Sequence, residues 1–247
     1  VTDLPPKRRL ALPRPYTASA DGHRVVRSFV LRQGRVSNAQ ARAVEDLLPR
    51  YGIPFQGTPL DLAAVFGAGR PVVLEIGFGM GETSALIARS RPDTGFLGLE
   101  VHTPGVGNLL QILAREGIGN LRIVQHDAVE VLEAMIAPAS LAGVHVFFPD
   151  PWPKKRHHKR RLVQPPLVDR IASRLAAGGY LHLATDVDDY AEQMRDVVAA
   201  SGRFTAFTAE EAAAHPARPA TRFEQRGVRL GHQIHDLLFR KVDLPAD

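Results

Sequence analysis

A chain of 247 residues, 45% of them apolar, is long enough for one large domain with a real core, and its lack of cysteine excludes disulfides and thiolate metal sites. No apolar run approaches the length of a membrane span, and VTDLPPKRR at the start has no apolar stretch of a secretory signal, so a cytoplasmic address is expected. The net charge of +5 is concentrated: residues 1–35 are net +6, Lys154 to Arg161 add another +6, and everything else is net −7. Such clustering is the footprint of a nucleic-acid binder, although a charge run alone also describes a solvated loop.

Residues 1–35, with prolines at 5, 6, 13 and 15, read as a basic arm, partly disordered, ahead of a single domain over 36–247. A helix is expected over Asn38–Leu48, stopped by Pro49. From Pro71 short apolar runs alternate with helical ones. PVVLEI, FLGLEV, LRIVQH, VHVFF and YLHLAT read as strands. GETSALIARS, Gly105–Glu116, Ala128–Ile136, Pro166–Leu175 and Val187–Ala200 read as helices. Apolar strands separated by helices imply parallel βαβ units with both sheet faces covered, an α/β fold. RFTAF and HDLLFRKV in the tail supply two more strands, seven in all.

In such sheets ligands bind beyond the carboxyl ends of the strands. The first five strands end on or near Glu75, Glu100, Asp127, Asp150 and Asp186, so each delivers an acid to one edge. A single terminal acid is often a helix cap, but five in register describe a site. EIGFGMGE, with Gly77, Gly79 and Gly81, forms a glycine-rich turn after the first strand, where a ligand can approach the backbone closely. It departs from the G-x-G-x-x-G dinucleotide pattern, because the third glycine comes one position early. Glu75 would repel a pyrophosphate and attract an ammonium or sulfonium, which favours S-adenosylmethionine over a nicotinamide dinucleotide. Glu100, 23 residues after Gly77, suits ribose hydroxyls. Asp127 has two readings, cap of the third helix through the D-A-V-E capping box or acceptor for the adenine amino group. Asp186 is similarly a cap or a ligand.

The fourth strand runs into FFPDPWPKKRHHKRR. Asp150 lies between Pro149 and Pro151, and Pro153 follows Trp152; fixed φ at three prolines stiffens the turn. Eight residues that are all Lys, Arg or His begin at Lys154. Trp152 either stacks on the target base or the methionine moiety, or packs its own loop. No HExxH-like spacing occurs, and no metal is expected.

LEIGFGMGE, GLEVHTPGVG, FFPDPWPKKRHHKRRLVQ, ATDVDDYAEQM and TRFEQRGVRLGHQIHDLLF together resemble bacterial tRNA (guanine-N7-)-methyltransferases, over roughly residues 27–240. PDPWPKKRHHKRR and TRFEQRG are the specific segments; the glycine loop is not. The resemblance implies a Rossmann-like class I methyltransferase fold with a mostly parallel seven-stranded sheet. It implies that Glu75, Glu100, Asp127 and Asp150 line the S-adenosylmethionine site beside Gly77, Gly79 and Gly81, and that Asp150 is catalytic. Lys154, Asp186, Thr221, Arg222, Phe223 and Glu224 would contact the substrate. Arg156, His157, His158, Lys159, Arg160 and Arg161 would touch the RNA, and the acceptor would be a guanine of the tRNA variable loop (guanine 46). No obligatory protein partner is implied, and the chain would act as monomer or homodimer. Three rivals stand beside this reading. They are an amino-group methyltransferase, whose Pro-rich loop PDPW resembles, a non-catalytic tRNA-binding module, and a nicotinamide oxidoreductase.

Overall fold

The structure, a computed structural model, describes residues 36–229 and 231–242; the expected basic arm lies outside them. Helix α1 (Asn38–Tyr51) opens on a capping box in which Ser37 and Gln40 satisfy each other's backbone N–H groups. It runs three residues past the expected stop, through Pro49. Tyr51 is only 2% exposed and donates its hydroxyl proton to the Leu113 carbonyl (3.4 Å), so packing carries the last turn through the proline. A short α2 (Leu62–Phe66), capped by Asp61, was not expected.

Then come β1 (Val72–Ile76), α3 (Glu82–Ser90), β2 (Gly95–Leu99), α4 (Thr103–Glu116), β3 (Leu121–Val124), α5 (Ala128–Ala134), β4 (Leu141–Phe147), α6 (Pro165–Arg174), β5 (Leu175–Thr185) and α7 (Asp188–Ala200). All five strands and five helices match the expected ones within a few residues at their ends, β5 excepted: it begins five residues early, at Leu175. β6 (Phe204–Ala206), α8 (Ala209–Ala214), α9 (Arg222–Arg229) and β7 (His235–Lys241) complete the order. The polar segments that became α8 and α9 lack the apolar stripe that marks a helix in sequence.

The strands form one seven-stranded sheet in the order β3-β2-β1-β4-β5-β7-β6, parallel through β5, with β7 antiparallel to both neighbours. This is the expected mostly parallel sheet. Strand periodicity splits the core between two faces. Val72, Leu74 and Ile76 join one apolar cluster, whereas Val73 joins the other with Phe78, Ala85, Val106 and Leu109. Glu75 therefore shares the Val73 face. Its register partner is His145, which in turn pairs with His182, so three polar side chains cross the middle of the sheet in one row. Among the described residues no helix is long and apolar enough to cross a membrane.

Candidate functional site

The parallel register brings the ends of β1 to β5 to one edge, and all five acids lie there. Between β1 and α3 the glycine loop has φ of 73° at Gly77, 58° at Gly79 and 78° at Gly81, backbone that other residues adopt only under strain. No atom lies within 4 Å of where a Cβ would project from Gly77 or Gly79, which leaves open space over the loop. The loop is held from below. Asn108 on α4 donates to the Met80 carbonyl (2.7 Å), and a Cβ on Gly105 would come within 2.0 Å of the Gly79 carbonyl oxygen. Neither Asn108 nor Gly105 was singled out in the sequence, because both act through the loop's backbone rather than on a ligand.

Glu100, directly after β2, closes the loop. Its Oε2 accepts from Gly79 N–H (2.8 Å), and its Oε1 accepts from Val101 (2.7 Å) and His102 (3.0 Å). Glu75 is buried at the floor. Burial, opposed by the Ser84 hydroxyl and reinforced by Glu100, raises its pKa to about 7. A carboxyl so placed gains a proton near neutrality unless a cation joins it. Asp127 caps α5, its Oδ1 accepting from Val129 (2.7 Å) and Glu130 (3.4 Å); the capping reading holds. Asp186 is not a cap. Val187 occupies that position without a side-chain bond, and Thr185 Oγ1 accepts from Val187 N–H (3.3 Å). The Asp186 carboxylate instead meets His232 (3.1 Å) and lies against Gly227 of α9.

β4 leads into a stiff turn. Phe148 and Trp152, on either side of Pro149-Asp150-Pro151, take φ of 50° and 44°, a strained conformation for bulky residues. Asp150 is exposed, and the described residues form no hydrogen bond or ion pair with it. Lys155–Arg160 wind into a 3₁₀ helix, in which side chains three apart eclipse. His157 and Arg160 accordingly fall on the same side, and both contact the Trp152 ring, His157 edge-on (centroids 5.9 Å) and Arg160 over its face (5.2 Å). Trp152 thus packs its own loop. Lys154, Lys155, Arg156, Lys159 and Arg160 are exposed. His157 accepts from Arg156 (3.3 Å), and desolvation followed by the surrounding cations lowers its pKa. His158 lies 3.5 Å from the Asp189 carboxylate.

Arg161 departs from expectation. It is 2% exposed, grips both oxygens of Asp189 (3.0 and 2.9 Å), donates to Gln193 (2.8 Å) and to the Pro151 carbonyl (2.8 Å), and lies over Tyr190. Its guanidinium fastens the turn to α7 and is not presented to a polyanion. The physical reason is that a buried fork needs partners on every side, and α7 supplies them. Asp189, the anchor, carried no sequence signal.

The TRFE segment begins α9 as a capping box. Thr221 Oγ1 accepts from Glu224 N–H (3.0 Å), and Glu224 Oε2 accepts from Thr221 N–H (3.3 Å) and from Arg218. Arg222 and Phe223 belong to the same helix, but their side chains lie outside the described residues. Arg218, whose side chain is 5% exposed, was not foreseen. Among the described residues no group of three or more His, Cys, Asp or Glu could hold a metal ion.

The sheet order and the acid-lined strand edge define a class I methyltransferase fold. Solved structures share it at the level of fold: an aminoglycoside-resistance methyltransferase, NpmB1, at TM-score 0.51 and 20% identity over 76% of this chain and 95% of that one, and the 16S rRNA methyltransferase KamB at TM-score 0.51 and 15% identity over 76% and 96%. A family model described as "Putative methyltransferase" matches residues 69–237. The "tRNA (guanine-N(7)-)-methyltransferase" of Thiobacillus denitrificans is 57% identical over 225 residues, covering 91% of this chain and 99% of that protein. That of Nitrosospira multiformis is 56% identical over 219 residues, 89% of this chain and 96% of that one. The chain belongs to the bacterial tRNA (guanine-N7-)-methyltransferase family.

Proposed function

We propose that the chain transfers a methyl group from S-adenosylmethionine to N7 of guanine 46 in the variable loop of tRNA, giving 7-methylguanosine. One observation carries this reading: acids from five parallel strands meet at one edge, and an exposed cationic run starts four residues after one of them, Asp150. The relatives' shared name supplies the substrate class. The donor half fits a cationic ligand bearing a ribose. Glu75 offers a buried carboxyl that a neighbouring cation would ionise. Glu100 keeps acceptor capacity beyond its three backbone bonds, since a carboxylate has about four lone-pair sites. Asp127, between β3 and α5, stands where the adenine amino group would be met. Gly77 and Gly79 leave room for the ligand.

When bound, S-adenosylmethionine supplies an electrophilic methyl group on a sulfonium. Guanine N7 has an in-plane lone pair and no hydrogen, so no side chain has to remove a proton from it. The chain's own task is alignment for in-line displacement and negative potential around a base that becomes cationic. Asp150, free of protein partners among the described residues, supplies that potential on the stiff proline turn. Asp186 adds to it from the end of β5. Glu224 accepts from the N–H groups of guanine's Watson–Crick edge, where adenine presents an unprotonated ring nitrogen. Lys154, Lys155, Arg156, Lys159 and Arg160 hold backbone phosphates, which position without reading sequence.

The test is incubation with labelled S-adenosylmethionine and unmodified tRNA, then digestion to nucleosides. Label in 7-methylguanosine is expected. Label on an exocyclic nitrogen would favour an amino-group methyltransferase, and absence of cofactor binding by calorimetry would favour a non-catalytic RNA-binding module.

A further inference from the structure

One buried cation links three parts of the molecule that the reaction needs together. Arg218, in the segment between α8 and α9, grips the Asp236 carboxylate of β7 with Nε (2.7 Å) and Nη2 (2.9 Å). Asp236 is also bonded by His182 of β5 (2.8 Å), so its position is fixed from the sheet side. Arg218 Nη1 donates to Glu224 Oε2 at the start of α9 and to the Pro219 carbonyl (3.4 Å). The flat guanidinium lies over Phe147 (5.5 Å) and Phe148 (5.2 Å), the two residues that precede Pro149-Asp150. Burial opposes its charge, but Asp236 and Glu224 outweigh burial and raise its pKa above the ordinary value.

The three contacts have different uses. The Asp236 pair is an anchor. The ring contact lies against Phe148, whose φ of 50° must be held in place by its surroundings. The Glu224 bond falls on Oε2, the oxygen already bonded by Thr221 N–H, so Oε1 stands outside this clamp. Resting on the function proposed above, we propose that Arg218 is a positioning residue that fixes the guanine-reading carboxylate of Glu224 and the Asp150 turn in one register. Recognition of the base edge and alignment of N7 are then set by the same side chain. A lysine keeps the charge but lacks the planar fork that reaches two carboxylates at once.

The test compares R218K, E224Q and the double variant on tRNA transcripts carrying guanosine or inosine at the target position. Inosine lacks the exocyclic amino group that Glu224 would read. R218K is expected to lower kcat/KM for the guanosine transcript by about 30-fold, with S-adenosylmethionine affinity within about twofold of wild type. Its guanosine-over-inosine preference should fall to that of E224Q, and the double variant should lose clearly less than the product of the two single losses, since residues acting as a unit are not additive. Fully multiplicative losses, an unchanged preference, or cofactor affinity falling in step with activity would each overturn the proposal. Should R218K fail to fold, D236N loosens the same grip, and a smaller loss of preference, about fivefold in kcat/KM, is expected by the same logic; an unchanged preference there overturns the proposal equally. Wild-type protein that forms no 7-methylguanosine removes the functional reading itself, whereas an active wild type with multiplicative losses removes only the role of Arg218.

Discussion

Glu100 and Asp150 follow two strands of the same sheet edge, yet their surroundings are opposite. Glu100 accepts three backbone N–H bonds, so its orientation is fixed by the protein itself. Asp150 is exposed and receives no hydrogen bond from the described residues. The same contrast runs through the two halves. On the donor side the loop is fixed by glycine backbone, Asn108 and the close fit of Gly105. On the side proposed for RNA the charges of Lys154 to Arg160 stay outside, and only their frame is fixed, by prolines, Trp152 and Arg161. In the function proposed above, the rigid loop would hold the small ligand, while Asp150 and the exposed cations would meet the RNA with their bonding capacity unspent.

The sharpest way to break this contrast is to remove Asp150. D150A should lower kcat by about 10²- to 10³-fold, the scale for losing one group that stabilises transition-state charge, with S-adenosylmethionine affinity within about twofold. Methyl incorporation and calorimetry on the same preparation check both parts, and a normal kcat would end the assignment.

Next in size is the difference between Arg161 and its neighbours in the same run. R161A removes a buried fork and strands its partners, so thermal or urea denaturation should show a loss of about 2–3 kcal/mol. K159A should leave stability within about 0.5 kcal/mol and weaken tRNA binding instead. Equal stability losses would erase the distinction.

Glu75 offers a test that pulls stability and binding apart. Its folded pKa of about 7 exceeds the ordinary 4.5, so the ionised carboxyl opposes folding. That penalty is absent below pH 4.5, grows between 4.5 and 7, and is complete above. E75Q should therefore stabilise the ligand-free protein at pH 8, by up to about 3 kcal/mol, and give no such gain at pH 4. S-adenosylmethionine affinity should fall in E75Q, and in wild type should drop about tenfold per pH unit below 7, because binding must first expel a proton. A pH-independent affinity across that range would count against a charge contact at Glu75.

The smallest single effects belong to the exposed cations, whose sum shows in salt. If the run and the arm neutralise about four phosphates, log Kd against log salt should have a slope magnitude of about 3 to 4, and each Lys-to-Ala change should reduce it by about one. A flat salt response would leave the cationic run without a phosphate role.

The sheet was legible because each buried parallel strand is a short apolar run and each carries an acid near its end. The glycine loop was legible because positive φ restricts three positions to one residue type. What escaped the sequence depended on distant partners. Arg161 is written in a basic run like any other member, and only α7, 28 residues on at Asp189, makes it a buried clamp. Arg218 is a lone arginine until β7 and β4 are folded against it. Thr221 and Glu224 were singled out through the resemblance, but their reciprocal capping box was missed, since the four residues precede no apolar run.

The bond from Arg161 to the Pro151 carbonyl closes the chain on itself across the whole cationic segment. Ordering such a stretch costs on the order of 1–2 kcal/mol per residue in conformational entropy. Because that bond belongs to the folded domain, the cost would not fall on the proposed encounter with RNA. Under the proposed function, an arriving polyanion would meet an assembled comb of charges, and its capture would be governed by diffusion and long-range attraction rather than by waiting for the loop to take shape.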